Sequence, residues 1–223
     1  MNVHSSIKNA KIDTPFGPVI FGMQLPENVF QNCVKLADDV WARKDRIDWS
    51  HELVGHMKHQ YYVPHSELKE YGLYDYFMQC FYWYIQKGST TSEEKKKYIQ
   101  IELEAFWINY QEEGEYNPLH NHGQATISGA IHLKEPEYAY PEDRKHDSDG
   151  GLAIVNHSPI LHDLDKYSMS VRPTPRGMYL WPAPLLHQVF PFEGKGQRIS
   201  MAYNAVHFYG DNPENRHKAK EYE

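Results

Sequence analysis

Helix-patterned segments fill the first part of this chain, and short strand-patterned runs fill most of the remainder. From Pro26 onward, Val29, Phe30, Cys33, Leu36, Ala37, Val40 and Trp41 recur at helical spacing. A second helix is expected from about Ser66 to Gln86. Ser66 stands where a cap would, and Leu68, Tyr71, Tyr74, Phe77, Met78, Phe81, Trp83 and Ile85 give a broad apolar surface. An opening strand is expected within 11–21, broken by Pro15, Gly17 and Pro18. After the turn at 88–91, strand-like runs fall at 98–110, 125–133, 152–155, 169–171, 178–181, 187–190 and 198–208, with Gly and Pro between them. Helices first and strands afterwards do not build an alternating βαβ sheet. The expected fold is mainly β, an antiparallel sandwich or barrel braced by N-terminal helices.

A chain of 223 residues suits one domain with a sizeable core. Its expected parts are a helical support region at 1–97, a β core at 98–208 and a polar tail at 209–223. The excursion at 135–166 holds Pro, Asp, His and Tyr in no regular pattern. Such loops are often lids or binding loops; a substrate lid and a plain surface insertion are both open readings.

Charge and composition narrow the function classes. The net charge of -7 argues against general nucleic-acid binding, which rests on neutralising phosphates. Lys95, Lys96 and Lys97 follow Glu93 and Glu94 and read as a solvated turn. No apolar stretch reaches the roughly 20 residues of a membrane helix, and Met1 to Ala10 lacks the apolar centre of a signal peptide. Cys33 and Cys80 stand apart in helix-like segments and read as reduced core thiols. A cytoplasmic protein without nucleic-acid or membrane partners is the resulting expectation.

The chemistry gathers between Tyr110 and Asn204. His120 and His122 lie two apart, so on an extended strand both imidazoles share a face. His187 stands at the start of another apolar strand. Three ligands on one side of an ion leave positions open for small molecules, as in the facial sites of non-haem iron oxygenases. With 14 histidines in the chain, about one His-x-His pair is expected by chance, so the pair alone is weak. Arg198 and Ser200 raise its weight. They share a strand face that continues to Ala202 and Asn204, and an arginine fork with a neighbouring hydroxyl suits a carboxylate. A structural salt bridge is the plainer role for Arg198 alone. An arginine inside a barrel needs an anion in either case.

These residues resemble the 2-oxoglutarate- and iron(II)-dependent oxygenases, specifically a group of bacterial and phage members. That group pairs a Tyr-x-x-x-Gly-x-x-Asn-x-x-His-x-His stretch with a Pro-rich strand ending in His-x-Val and an Arg-Ile-Ser strand ending near Asn. Here these are Tyr110, Gly114, Asn117, His120 and His122; Pro182, Pro184, His187 and Val189; and Arg198, Ser200 and Asn204. Ser128-Gly129 before an apolar run also matches, and the likeness spans about 98–208. The segment 49–63 is similar more loosely.

The resemblance implies a double-stranded β-helix, a jelly-roll related to the cupins. It implies iron(II) held by His120 and His187, with Arg198, Ser200, Tyr110 and Asn204 serving 2-oxoglutarate. Oxygen would be the second cosubstrate, ascorbate a reductant in vitro, and the primary substrate a molecule the sequence does not name, a peptidyl side chain being one option. Many relatives carry Asp or Glu where this chain has His122. A three-histidine site, a two-histidine site completed by water, and a site completed by Asp147 or Asp149 all stay open. So do two other classes: a cupin-like metalloenzyme without 2-oxoglutarate, and a non-catalytic virion-associated module with a degenerate barrel.

Overall fold

A computed structural model describes residues 11–13, 17–139, 148–156, 168–172 and 174–210, and the fold and site are those of these residues. Helix α1 (Glu27–Ala42) starts directly after Pro26, whose φ of -55° and ψ of 144° are extended. Glu27 stands in its first turn, where a negative charge complements the helix dipole. Of the helical stripe read from the sequence it buries Val29, Cys33, Leu36, Ala37 and Val40, while Phe30 is half-buried and Trp41, in the last turn, is exposed.

The second expected helix is two helices, α2 (His65–Glu70) and α3 (Tyr74–Gly88). Gly72 separates them in the left-handed region, at φ 67°, where a side chain would be strained. Pro64, and not Ser66, precedes the first helical residue. Helix α3 buries Tyr76, Phe77, Cys80, Phe81, Tyr84 and Ile85. The basic run is not wholly a solvated turn: Lys95 and Lys96 end a short helix, α4 (Glu93–Lys96), Lys97 follows it, and Lys96 is buried and pairs with Glu93 at 2.8 Å.

The strands are β1 (Lys11–Asp13), β2 (Ile20–Gln24), β3 (Ile47–Asp48), β4 (Gln60–Tyr62), β5 (Ile99–Gln111), β6 (Asn117–His120) and β7 (Ile127–Lys134). They continue with β8 (Glu137–Tyr138), β9 (Leu152–Val155), β10 (Ser168–Val171), β11 (Gly177–Pro182), β12 (Leu186–Val189), β13 (Gly194–Lys195) and β14 (Arg198–Tyr209). A major sheet runs β1-β2-β11-β7-β14-β5-β4-β3, a minor one β10-β9-β12-β6, and β8 pairs with β13. Among the described residues the expected barrel is thus a sandwich of two open sheets, as in a double-stranded β-helix. Glu137 and Tyr138 on β8 and Leu152–Val155 on β9 are the described strand residues of the long excursion; most of the rest of it, with Asp147, lies outside the described residues. So does the tail from 211.

Strand alternation divides the major sheet into two faces. Phe106, Ile108 and Tyr110 on β5, Met201 and Tyr203 on β14, Ile127 and Ile131 on β7, and Met178 and Leu180 on β11 join the helices in the largest core cluster. Gly129 makes this packing possible. A Cβ there would lie 2.3 Å from the Tyr203 ring and 2.4 Å from the Tyr179 carbonyl. The opposite face carries the other parity, Trp107, Asn109, Arg198, Ser200, Ser128, His132 and Trp181, and looks toward the minor sheet. Cys33 and Cys80 are free and buried in the helix-side core. Among the described residues no helix is long and apolar enough to cross a membrane.

Candidate metal and anion site

The minor sheet brings two of the histidines together by register. Strands β6 and β12 are antiparallel, and His120 pairs directly with His187. Their rings lie 4.3 Å apart between centroids. Strand β6 ends at His120, so simple alternation does not place His122. Its position comes from the backbone, where the His122 N–H donates to the Ala183 carbonyl at 3.1 Å. The His122 ring then sits 5.0 Å from that of His120 and 5.1 Å from that of His187. One nitrogen from each of the three rings lies within 4.8 Å of the others. Asp149 is described and is not part of this cluster.

Hydrogen bonds set which nitrogen each ring offers. Nδ1 of His120 faces the Pro118 carbonyl at 2.7 Å, and Nδ1 of His187 faces the Leu185 carbonyl at 2.9 Å. A carbonyl only accepts, so each Nδ1 carries the proton and each Nε2 keeps its lone pair for an ion. Nδ1 of His122 lies 3.1 Å from the Asn204 amide, and Ser128 Oγ lies 2.7 Å from the same amide. As placed, Asn204 Nδ2 faces His122 Nδ1 while Asn204 Oδ1 accepts from the Ser128 hydroxyl; a 180° turn of the amide would let Oδ1 accept from His122 Nδ1–H and free this Nε2 for an ion, with Ser128 Oγ then accepting from the amide. Amide orientation is fixed by such networks. Three neutral nitrogen donors fit a divalent transition metal.

Burial, followed by repulsion from neighbouring rings, holds His122 down to about 4 and His187 down to about 3. Burial lowers His120 too. All three are therefore neutral, the ligand form, at neutral pH. The unfolded chain takes up protons on these rings near pH 6.5 while the folded chain does not. The sign is set by that difference: stability is complete above about pH 6.5 and falls as pH drops toward 4, by up to about 1.4 kcal/mol per pH unit for each of His122 and His187, with His120 acting in the same direction. Urea midpoints of metal-free protein at about pH 7 and pH 4.5 should differ accordingly. A flat profile would mean that the rings are solvated in the folded state.

Across the cavity, Arg198 is 2% exposed, and its partners are all neutral. Nη1 donates to Gln111 Oε1 and to Ser200 Oγ, each at 3.3 Å, and Nη2 to His132 Nδ1 at 3.1 Å. Nε is buried without a hydrogen-bond partner. Burial lowers the guanidinium to about 10, which leaves it charged at neutral pH. Among the described residues no carboxylate forms an ion pair with it, so the plain salt-bridge reading lacks its acid. Tyr138 and Glu135 pull against burial from a distance, less strongly than burial acts; a buried cation with no counter-charge in contact is costly, and an anion entering the cavity relieves that cost.

His132 belongs to the same cluster and was not singled out from sequence. Arginine can only donate, so His132 Nδ1 accepts and its proton sits on Nε2. That Nε2 is also buried and unpartnered, as is Trp181 Nε1. Three orphaned donors, on Arg198, His132 and Trp181, therefore line the cavity that the three imidazoles line. The fit to a carboxylate ligand beside a metal is good. Parity on β7 was the available signal, since His132 is four residues from Ser128 and pairs with Ser200.

Two expected cosubstrate residues stand elsewhere. Tyr110 pairs with Ile199 and shares its helix-side face; its hydroxyl donates to the Ala37 carbonyl at 2.5 Å. Alternation gives the cavity Asn109 and hands Gln111 to Arg198 instead. Asn204 props His122 and is absent from the wall of the anion cavity.

Comparison with known proteins agrees with this geometry. Residues 105–204 match the family described as "Putative 2OG-Fe(II) oxygenase". No curated protein matches the chain by sequence. Among solved structures, a Pseudomonas putida prolyl-4-hydroxylase is 10% identical over 92% of this chain and 97% of its own, with a TM-score of 0.53. The α-ketoglutarate-dependent carbocyclase SnoK of nogalamycin biosynthesis is 10% identical, covering 98% and 91%, with a TM-score of 0.56. HygX from Streptomyces hygroscopicus, solved with nickel, 2-oxoglutarate and hygromycin B, is 9% identical, covering 84% and 82%, with a TM-score of 0.52. The chain thus has the double-stranded β-helix of the 2-oxoglutarate- and iron(II)-dependent oxygenases, and the family match falls on the strands that carry its three histidines and Arg198.

Proposed function

We propose that this protein is an iron(II)- and 2-oxoglutarate-dependent dioxygenase that hydroxylates a C–H bond of a primary substrate. One observation carries the reading: a buried arginine with only neutral partners faces the same cavity as three neutral imidazoles. A cupin-like enzyme that did without 2-oxoglutarate would have no use for that cation.

His120, His122 and His187 would hold the iron through Nε2. Arg198 and Ser200 would bind the distal carboxylate of 2-oxoglutarate, with His132 Nε2–H as a further donor. When bound, iron and 2-oxoglutarate supply the oxidising chemistry, consuming O2 and releasing succinate and carbon dioxide. The protein's part is to orient the cosubstrate through the arginine fork and to keep the imidazoles deprotonated by burial. It also keeps bulk water from the cavity. Three neutral ligands leave the site more positive by about one charge than two histidines and a carboxylate would. That favours anionic ligands and loosens the hold on iron(II). The nature of the substrate is not given by the fold; a peptidyl side chain is one option.

Succinate formation from 2-oxoglutarate with iron(II) and ascorbate tests the reading, and His122 variants sharpen it. His122→Asp should keep iron(II) and turnover, since it creates the commoner two-histidine, one-carboxylate set. His122→Ala should bind iron(II) at least about tenfold more weakly, the lower end of what even outer-shell losses cost. Wild-type affinity in His122→Ala would leave a site of two histidines completed by water.

A further inference from the structure

His122 differs from the other two site histidines in what holds its Nδ1. Backbone carbonyls hold Nδ1 of His120 and of His187, and a carbonyl only accepts, so both rings keep a lone pair on Nε2. The partner of His122 is a side-chain amide, which donates from one end and accepts at the other. Asn204 Nδ2 faces the ring at 3.1 Å, and Asn204 Oδ1 accepts from the Ser128 hydroxyl at 2.7 Å. In this setting Nδ1 of His122 is the acceptor and the ring proton sits on Nε2. Turned end for end, the same amide accepts from Nδ1–H and donates to Ser128 Oγ, and Nε2 is bare.

The ring lone pairs favour the first setting while no ion is bound. The three ligand nitrogens lie within 4.8 Å of one another. With all three bare, three lone pairs converge in one pocket. With a proton on His122 Nε2, one of them becomes a donor toward the other two. A cation reverses the preference, because each ligand must offer it a lone pair. The surroundings give the amide room to turn. Asn204 pairs with Ser128 across β14 and β7. On its other side the β5–β14 register slips: Asn204 opposes Ala105, Ala205 opposes Leu103, and Glu104 is the extra residue of a bulge, a feature common beside active sites. Asn204 and His122 also line a second cavity, of about 370 Å³.

We propose that Asn204 is a positioning residue with two settings. Its amide donates to His122 in the metal-free protein and turns over to accept from it when a divalent metal binds, which makes His122 a ligand. The ring stays neutral throughout: Nε2 gives up a proton to solvent and Nδ1 takes one, so no net proton is released. This switch depends on the metal site of the proposed function and not on its oxygen chemistry.

Nitrogen NMR of the full chain carrying isotope-labelled histidine reads the tautomer directly, with the His122 signals assigned by their loss in His122→Gln. At neutral pH the metal-free protein should carry the His122 proton on Nε2. Zinc(II), a diamagnetic stand-in for iron(II), should move it to Nδ1. Asn204→Asp presents only acceptors to the ring, so it should hold Nδ1–H without metal and bind zinc(II) at least as tightly as wild type. Asn204→Leu keeps the bulk without the amide and should bind zinc(II) at least about tenfold more weakly. An asparagine that merely supported the fold would lose affinity in both variants alike, and that result overturns the switch. So does Nδ1–H on His122 in the metal-free wild type, or Nε2–H that persists with zinc(II) bound; neither measurement needs a position-204 variant to fold. Failure of zinc(II) to bind at all would remove the metal site and the switch together, whereas zinc(II) bound with an unchanged tautomer removes the switch alone.

Discussion

His187→Ala should abolish stable iron(II) binding. The side chain is 4% exposed and sits directly across from His120 in the β6–β12 register, so no other described side chain can take its place. Its carbonyl-bound Nδ1 leaves Nε2 as the only donor, and alanine removes it. Iron(II) affinity by calorimetry should fall by more than about 100-fold, beyond the 10- to 100-fold range for loss of an outer-shell partner. His120→Ala should behave alike. Because burial disfavours the charged ring, both variants should fold at least as well as wild type near pH 5 in the absence of metal. Unchanged iron(II) affinity in both would remove the metal site as an explanation of the cluster.

Arg198→Ala should weaken 2-oxoglutarate binding by about 2–5 kcal/mol, the range for truncating one member of a buried charge pair. Iron(II) affinity should stay near wild type, since Arg198 touches none of the three metal-site histidines. Arg198→Lys should rescue only in part. An ammonium keeps the charge but not the planar fork that spans Gln111, Ser200 and His132. Stability gives the contrary outcome a clear form. An arginine that served the fold through an ion pair would, on removal, unfold the ligand-free protein. An arginine buried without a counter-anion in contact should cost little on removal, or even add stability.

Much of this was legible in the chain because it is local. Helical periodicity gave α1 and its buried stripe, and the Gly- and Pro-punctuated runs gave most long strands nearly to their ends. The spacing of His120, His122, His187, Arg198 and Ser200 singled out residues that line one cavity; strand alternation accounts for Arg198 and Ser200, which share a face of β14, but not for His122. Where local geometry changes without a strong signature, the reading slipped. Gly72 split a helix that apolar spacing alone would continue, and short edge strands such as β3 and β13 carry too few residues to show a period.

Other features belong to the tertiary structure alone. His122 lies past the end of β6 and joins the cluster only because Ala183, distant in sequence, holds its backbone. Tyr110 looked like a cosubstrate residue, but its parity on β5 sends it to the helix core, and only the pairing with β14 sets that parity. His132 and Gln111 flank Arg198 through strands that meet in the sheet, not in the sequence. The bulge at Glu104 exists only as a slip between two paired strands. The sequence determined which side chains were available and which face of its own strand each would take. Cross-strand register decided which of them met, because hydrogen-bonded pairing depends on two segments at once and neither one encodes it alone.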